Sequence, residues 1–130
     1  MKKIKKLDLS ELQKNYFAGF FDAKGYVGSF RADGRLNYRV QISNTNKPLL
    51  EHFLVFGGGV SKRSGETLTQ EYAWTLNGKR IILRFILALY WKMNNEKKKA
   101  KLKAIVLDNI SYLRESDQKY FKPLGKISEE

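Results

Sequence analysis

The sequence has no cysteine and a single histidine, His52. Without thiols there is no disulfide framework, no zinc ribbon and no thiol nucleophile. One imidazole makes neither a metal-binding His cluster nor a Ser-His-Asp triad. Any hydrolytic chemistry must rest on carboxylates and a hard cation. No window approaches the roughly 20 apolar residues of a membrane span. The basic start Met1-Lys2-Lys3-Ile4-Lys5-Lys6 leads into no apolar stretch, so it does not read as a secretory signal. A soluble, intracellular protein is expected, in a prokaryotic cytoplasm or an organelle, with no membrane partner.

Acidic residues are also scarce. Thirteen Asp and Glu face 25 Lys and Arg, for a formal net charge of +12. A surplus of that size in a small domain points to a polyanion, nucleic acid first. An anionic membrane surface fits less well, because the charge does not collect on one amphipathic helix. What the chain does have is apolar residues at 42% and aromatics at 13%, enough to exclude disorder over most of its 130 residues. That length suits one domain, here residues 1–130.

Periodicity and turn chemistry give an element order of α-β-β-α-β-β-α-α, an α+β fold with a four-stranded antiparallel sheet. Asp8-Leu9-Ser10-Glu11 reads as a capping box, with Asp8 as N-cap of a helix running to about Asp22 and Gly25 stopping it. Strands are expected at Tyr26–Ala32 and Leu36–Asn44, joined by the hairpin signal Asp33-Gly34. A short helix over 48–56 has Pro48 at its first position. Gly57-Gly58-Gly59 lacks the Lys-Ser/Thr pair of a phosphate loop and reads as a turn. A second hairpin follows, Val60–Lys62 and Leu68–Leu76, with Ser64-Gly65-Glu66 at its tip. Asn77-Gly78 should cap a helix over 79–91. A fourth helix is expected over 95–113 and a final helical turn near Gln118–Phe121.

One segment carries more than fold. Phe17-Ala18-Gly19-Phe20-Phe21-Asp22-Ala23-Lys24-Gly25 resembles the motif of the LAGLIDADG homing endonucleases, matching in type at all but Phe17 and Lys24. Gly19 and Ala23 lie four apart on one helical face, with Ala18 beside them, and small residues at that spacing allow two helices to approach closely. The hairpin after the motif, Val40-Gln41-Ile42-Ser43-Asn44-Thr45-Asn46, the glycine break and the lysine-rich last long helix follow the family order. The resemblance implies a DNA endonuclease acting in intron or intein homing. Two motif helices lie side by side there, and the final acid of each holds a divalent metal, Mg²⁺, over the DNA. A chain with one motif then needs a second copy of itself. It implies a homodimer with Ala18, Gly19, Asp22 and Ala23 at the interface and a long pseudo-palindromic double-stranded DNA site as partner.

In such a fold the outer sheet face enters the major groove. Alternation places Tyr38, Val40 and Ile42 inward, and so Asn37, Arg39, Gln41 and Ser43 outward. In the last strand Tyr72, Trp74 and Leu76 face in, and Thr69, Glu71, Ala73 and Thr75 face out. Ser61 and Arg63 are the outward candidates of the third strand, with Lys62 as the other register. The first strand has two readings. A bulge at Gly28 presents Ser29 and Arg31, and is preferred here. A regular strand presents Gly28, Phe30 and Ala32.

The chain departs from the family where the metal should sit. Lys24 occupies the position of the final acid, and an ammonium only donates. Asp22 remains as a makeshift ligand, although the family uses that position for capping. The family's basic residue near the start of the last long helix aligns with Glu96, with Lys97 or Lys98 as alternative matches. Lys24, Asp22, Asn44, Glu96, Lys97 and Lys98 are thus the candidates around the catalytic centre, with metal binding and cleavage expected to be weak or lost. A non-cleaving regulator or an RNA-splicing maturase on the same scaffold is the alternative.

Overall fold

The structure, a computed structural model, describes residues 2–63 and 70–121. The expected tip Ser64-Gly65-Glu66, together with Leu68 and Thr69, lies outside the described residues. The elements follow the expected order. Helix α1 (Glu11–Lys24) leads into strands β1 (Gly25–Ala32) and β2 (Arg35–Asn44). Helix α2 (Lys47–Glu51) continues as a 3₁₀ turn over His52–Phe56, before β3 (Gly59–Lys62) and β4 (Tyr72–Asn77). Helix α3 (Lys79–Leu89) passes into a 3₁₀ turn at Tyr90–Lys92, followed by α4 (Glu96–Asp108), a 3₁₀ turn at Ile110–Tyr112 and the short α5 (Glu115–Gln118). The four strands form one antiparallel sheet in the order β1-β2-β4-β3.

Side chains explain the joints. Asp33 and Gly34 both take positive φ, 54° and 73°, which is the two-residue hairpin turn that Asp-Gly favours. The start of α1 differs from expectation. Ser10, not Asp8, is the N-cap, and Gln13 closes the capping box. Burial accounts for the shift. Ile4 and Leu9 are both buried in the core, so the chain stays non-helical through Leu9. Gly25 ends α1, but at φ −78° it goes straight into β1 rather than through a left-handed cap. Its lack of a side chain serves packing instead: a Cβ there would lie 2.2 Å from the ring of Phe21. Pro48 is the second residue of α2, since Asn46 caps the helix one residue earlier than expected.

The inner face of the sheet packs on the helices around Trp74, which is fully buried. Phe53, Phe56 and Phe85 ring it at centroid distances of 5.0, 6.3 and 5.8 Å, and Phe21 stacks edge-on against Phe85 at 5.1 Å. The indole N–H donates to the Gly57 carbonyl at 3.0 Å, so the glycine break is tied to the core. Deleting one such ring would cost about 3–5 kcal/mol. The helices are shorter than the apolar pattern suggested. Helix α3 tightens to 3₁₀ after Leu89 and α4 after Asp108, and the last helical turn is Glu115–Gln118 rather than 118–121.

Candidate nucleic-acid interface

The pairing of β1 with β2 is one-to-one from Gly25↔Ile42 to Ala32↔Arg35, with no bulge. Paired residues share a face. Val27 with Val40, Ser29 with Tyr38 and Arg31 with Leu36 therefore look toward the helices. The bulged register for Ser29 and Arg31 is corrected: Ser29 lines a cavity with Lys101, Ile105 and Asp108 of α4. Tyr26, Gly28, Phe30 and Ala32 face outward instead. Phe30 misleads the alternation rule because its ring stays exposed on the wet face, where the Arg39 guanidinium lies 4.7 Å from its centroid.

The rest of the outer face falls where alternation put it. Gln41 pairs with Thr75 and Thr75 with Gly59; Ser43 pairs with Ala73 and Ala73 with Ser61. Cross-strand hydrogen bonds order these side chains. Arg39 Nε donates to Asn77 Oδ1 at 3.2 Å, Gln41 Nε2 to Thr75 Oγ1 at 3.0 Å, and Arg63 Nη1 to Ser43 Oγ at 2.7 Å. Asn37 donates to the Arg35 carbonyl at 3.1 Å and lines a shallow depression with Phe30 and Arg35. Glu71 precedes β4, and its carbonyl accepts from the Arg63 N–H at 2.8 Å. Tyr26, Arg35 and Asn77 were missed. Alternation from Val27 marks Tyr26 as outward, while Arg35 falls before the expected strand start at Leu36 and Asn77 reads as a helix cap.

Lys24 joins this face. It is exposed, and it lines a cleft of about 270 Å³ with Tyr26, Gln41, Ser43 and Arg63. No carboxylate lines that cleft. Asp22, two residues earlier, points elsewhere. Its carboxylate accepts the backbone N–H of Asn94 at 2.7 Å and of Asn95 at 3.0 Å. Lys98 reaches back, donating to the carbonyls of Phe21 at 3.1 Å and Asp22 at 2.6 Å. Burial lowers the Lys98 ammonium below the usual lysine range, and the charge of Asp22 opposes that shift. Lys98 thus sits at the end of α1, whereas Glu96 and Lys97 are exposed. Asn44 Oδ1 is engaged by the backbone N–H of Asn46 at 2.8 Å.

The donor set at this end does not fit a divalent metal. Both Asp22 oxygens already accept backbone donors, Lys24 has no lone pair to offer while charged, and no group of three or more His, Cys, Asp or Glu converges among the described residues.

The outward face of α1 carries Leu12, Tyr16, Gly19 and Ala23, all exposed and aligned along one stripe. Leu12 is 80% exposed. Ala18 does not belong to it, being fully buried inside the protomer. A Cβ added at Gly19 would meet nothing within 4 Å. Nothing within the protomer therefore calls for glycine there, although it costs about 1 kcal/mol against alanine in mid-helix.

No protein-family model and no curated protein sequence matches the chain. Solved structures do. The homing endonuclease I-CvuI in complex with its target superposes with a TM-score of 0.63 at 20% identity, over 74% of this chain and 64% of that one. The archaeal intron-encoded homing endonuclease I-Vdi141I, complexed with DNA, gives 0.61 at 21%, over 74% and 65%. The LAGLIDADG homing endonuclease I-GzeII, with its DNA target, gives 0.59 at 19%, over 90% of this chain but 43% of that one. The chain thus spans just under two thirds of the first two and less than half of the third.

Proposed function

From a fold shared with LAGLIDADG homing endonucleases, we propose that this chain binds long double-stranded DNA sequence-specifically as a homodimer, and that it cleaves DNA weakly or not at all. The observation that carries the binding is the outer sheet face. Arg39, Gln41, Ser43, Arg63, Thr75 and Asn77 stand on it in fixed cross-strand pairs. Arginine and amide side chains so ordered match the donor and acceptor edges of the major groove. The neighbours of the same fold in complex with DNA support DNA as the ligand.

Dimerisation rests on the stripe along α1. Two copies joined there would bring two sheets into one extended surface and two Lys24 side chains to its centre. The impaired cleavage rests on the unsuited donor set described above. With ammonium groups where the motif's acids belong, the centre suits phosphates better than Mg²⁺, and Lys24 can replace part of a metal's charge at those phosphates. Lys24 also favours a second reading, a non-cleaving regulator or RNA-splicing maturase. The test is selection of a site from random duplexes, followed by salt titration. If about 6–10 phosphates are neutralised, affinity falls by roughly 10³–10⁵ between 50 and 200 mM salt. A flat titration, or equal binding to selected and random duplexes, overturns the proposal.

A further inference from the structure

A second cationic site lies on the other side of the helical layer. Lys2, Lys3 and Lys5 of the N-terminal segment, Arg80 and Arg84 of α3, and Arg114 before α5 line an open cavity of about 540 Å³. Only Ile4 and Ile81 complete the lining. No carboxylate is among these residues, and none of the six cations forms a salt bridge among the described residues. Like charges crowded together repel, so an anion among them would be stabilising.

The lysines are not on a loose tail. The Ile4 N–H donates to the Tyr112 carbonyl at 2.7 Å and the Ile4 side chain is buried. Arg80 donates to the Lys2 carbonyl at 2.8 Å, and Lys3 to the Ser111 carbonyl at 2.6 Å. These bonds fix the wall of the cavity. They leave Lys5, Arg84 and Arg114 without a side-chain partner among the described residues, and the Nε of Arg84 is buried without an acceptor. On α3, Ile82, Phe85, Ile86 and Leu89 turn to the core under the sheet. Arg80 and Arg84, four apart, project from the opposite side of the helix. A duplex lying on the outer sheet face does not reach them.

We propose that this cavity is a second anion site, which takes the phosphodiester backbone of a nucleic-acid strand other than the one on the sheet. Six cations from three segments exceed what a single phosphate compensates, whereas a strand presents phosphates in series. Arginine forks match their oxygens. The cavity stands on its own geometry; only the identity of the first strand rests on the function proposed above.

The experiment uses the full chain saturated with an unlabelled selected duplex, to which a labelled short RNA or DNA strand is added and followed by anisotropy. The strand is expected to bind the preformed complex. Lys5→Gln/Arg84→Gln/Arg114→Gln should weaken it by at least about tenfold and lower its salt slope by about 2 to 3, leaving duplex binding unchanged. Arg39→Gln/Arg63→Gln should do the reverse. The charge-keeping pair Lys5→Arg/Arg84→Lys should bind like the unmodified chain. Should the triple variant fail to fold, Lys5→Glu alone is read in its place. The site is overturned if the strand does not join the complex or ignores the triple variant. It is also overturned if that variant loses only inorganic phosphate or phosphatidylserine vesicles. If instead the sheet variant leaves duplex binding intact, the function proposed above fails, while strand binding lost in the triple variant alone still upholds the cavity.

Discussion

The outer sheet face and the C-terminal end of α1 border the same cleft, yet they are finished to different degrees. On the sheet, Arg39 and Gln41 each donate to the neighbouring β4, Arg63 reaches Ser43 across β4 and lies 3.9 Å from the Glu71 carboxylate, and all three keep donors for a ligand. At the end of α1 the one carboxylate is already engaged by two backbone N–H groups, and the residue that reaches the cleft is Lys24. A polar site recognises when its side chains are ordered but not saturated. Asp22 is saturated. Under the proposed function, the contrast separates binding from cleavage within one molecule.

The sharpest way to break that contrast is Lys24→Asp, or Lys24→Glu. If the acid alone is missing, a plasmid carrying the selected site should go from uncut to linear in the presence of Mg²⁺. Rapid linearisation by the unmodified chain would instead mean that another acid serves. No cleavage by the restored chain would place a second lesion nearby, with Glu96 and Lys98 the first positions to change.

Gly19→Leu tests what joins the two sheets. Sedimentation at micromolar concentration should show a dimer for the unmodified chain and a monomer for the variant, with unchanged secondary structure. Because a side chain at Gly19 meets nothing inside the protomer, loss of folding is not expected. A variant that stays dimeric moves the interface elsewhere.

Smaller effects should follow from the face itself. Arg39→Ala and Gln41→Ala are each expected to cost about 1–3 kcal/mol of discrimination at one base pair, read by competition between single-base variants of the site. A uniform loss across all sequences would make them phosphate contacts instead. Asp22→Asn should lower stability by about 1–2 kcal/mol in chemical denaturation, since an amide oxygen accepts less well than a carboxylate and its NH₂ opposes the second N–H. An unchanged midpoint would mean the two bonds contribute little.

Much of this was legible in the sequence because local signals agreed with tertiary need. Asp33-Gly34 fixed the first hairpin, and the alternation in β2 placed Asn37, Arg39, Gln41 and Ser43 because Val40 and Ile42 had only the core to go to. Where two local signals competed, the core chose. Asp8 lost to Ser10 as the cap because Leu9 was needed inside. The face of β1 differs from expectation because apolar does not always mean inward: Phe30 stays exposed on the outer face beside the Arg39 guanidinium. Ala18 was assigned by its size, but its neighbour Phe17 and the rings behind it draw that side of α1 into the protomer. The basic cavity left no periodic trace at all, being assembled from three segments that only the fold brings together.

The bonds from Phe21 and Asp22 to the Asn94–Lys98 segment have a consequence for how the sequence can change. They clasp positions 72 to 77 residues apart into one mechanical part. A substitution in the first turn of α4 therefore alters the tip of α1 without touching the motif. Asn94 and Asn95 hold the Asp22 carboxylate through backbone N–H groups, so side-chain drift at Asn94 should be tolerated, whereas losing the Asp22 carboxylate or the Lys98 ammonium should each loosen the clasp, and a double-mutant cycle between those two side chains should be non-additive.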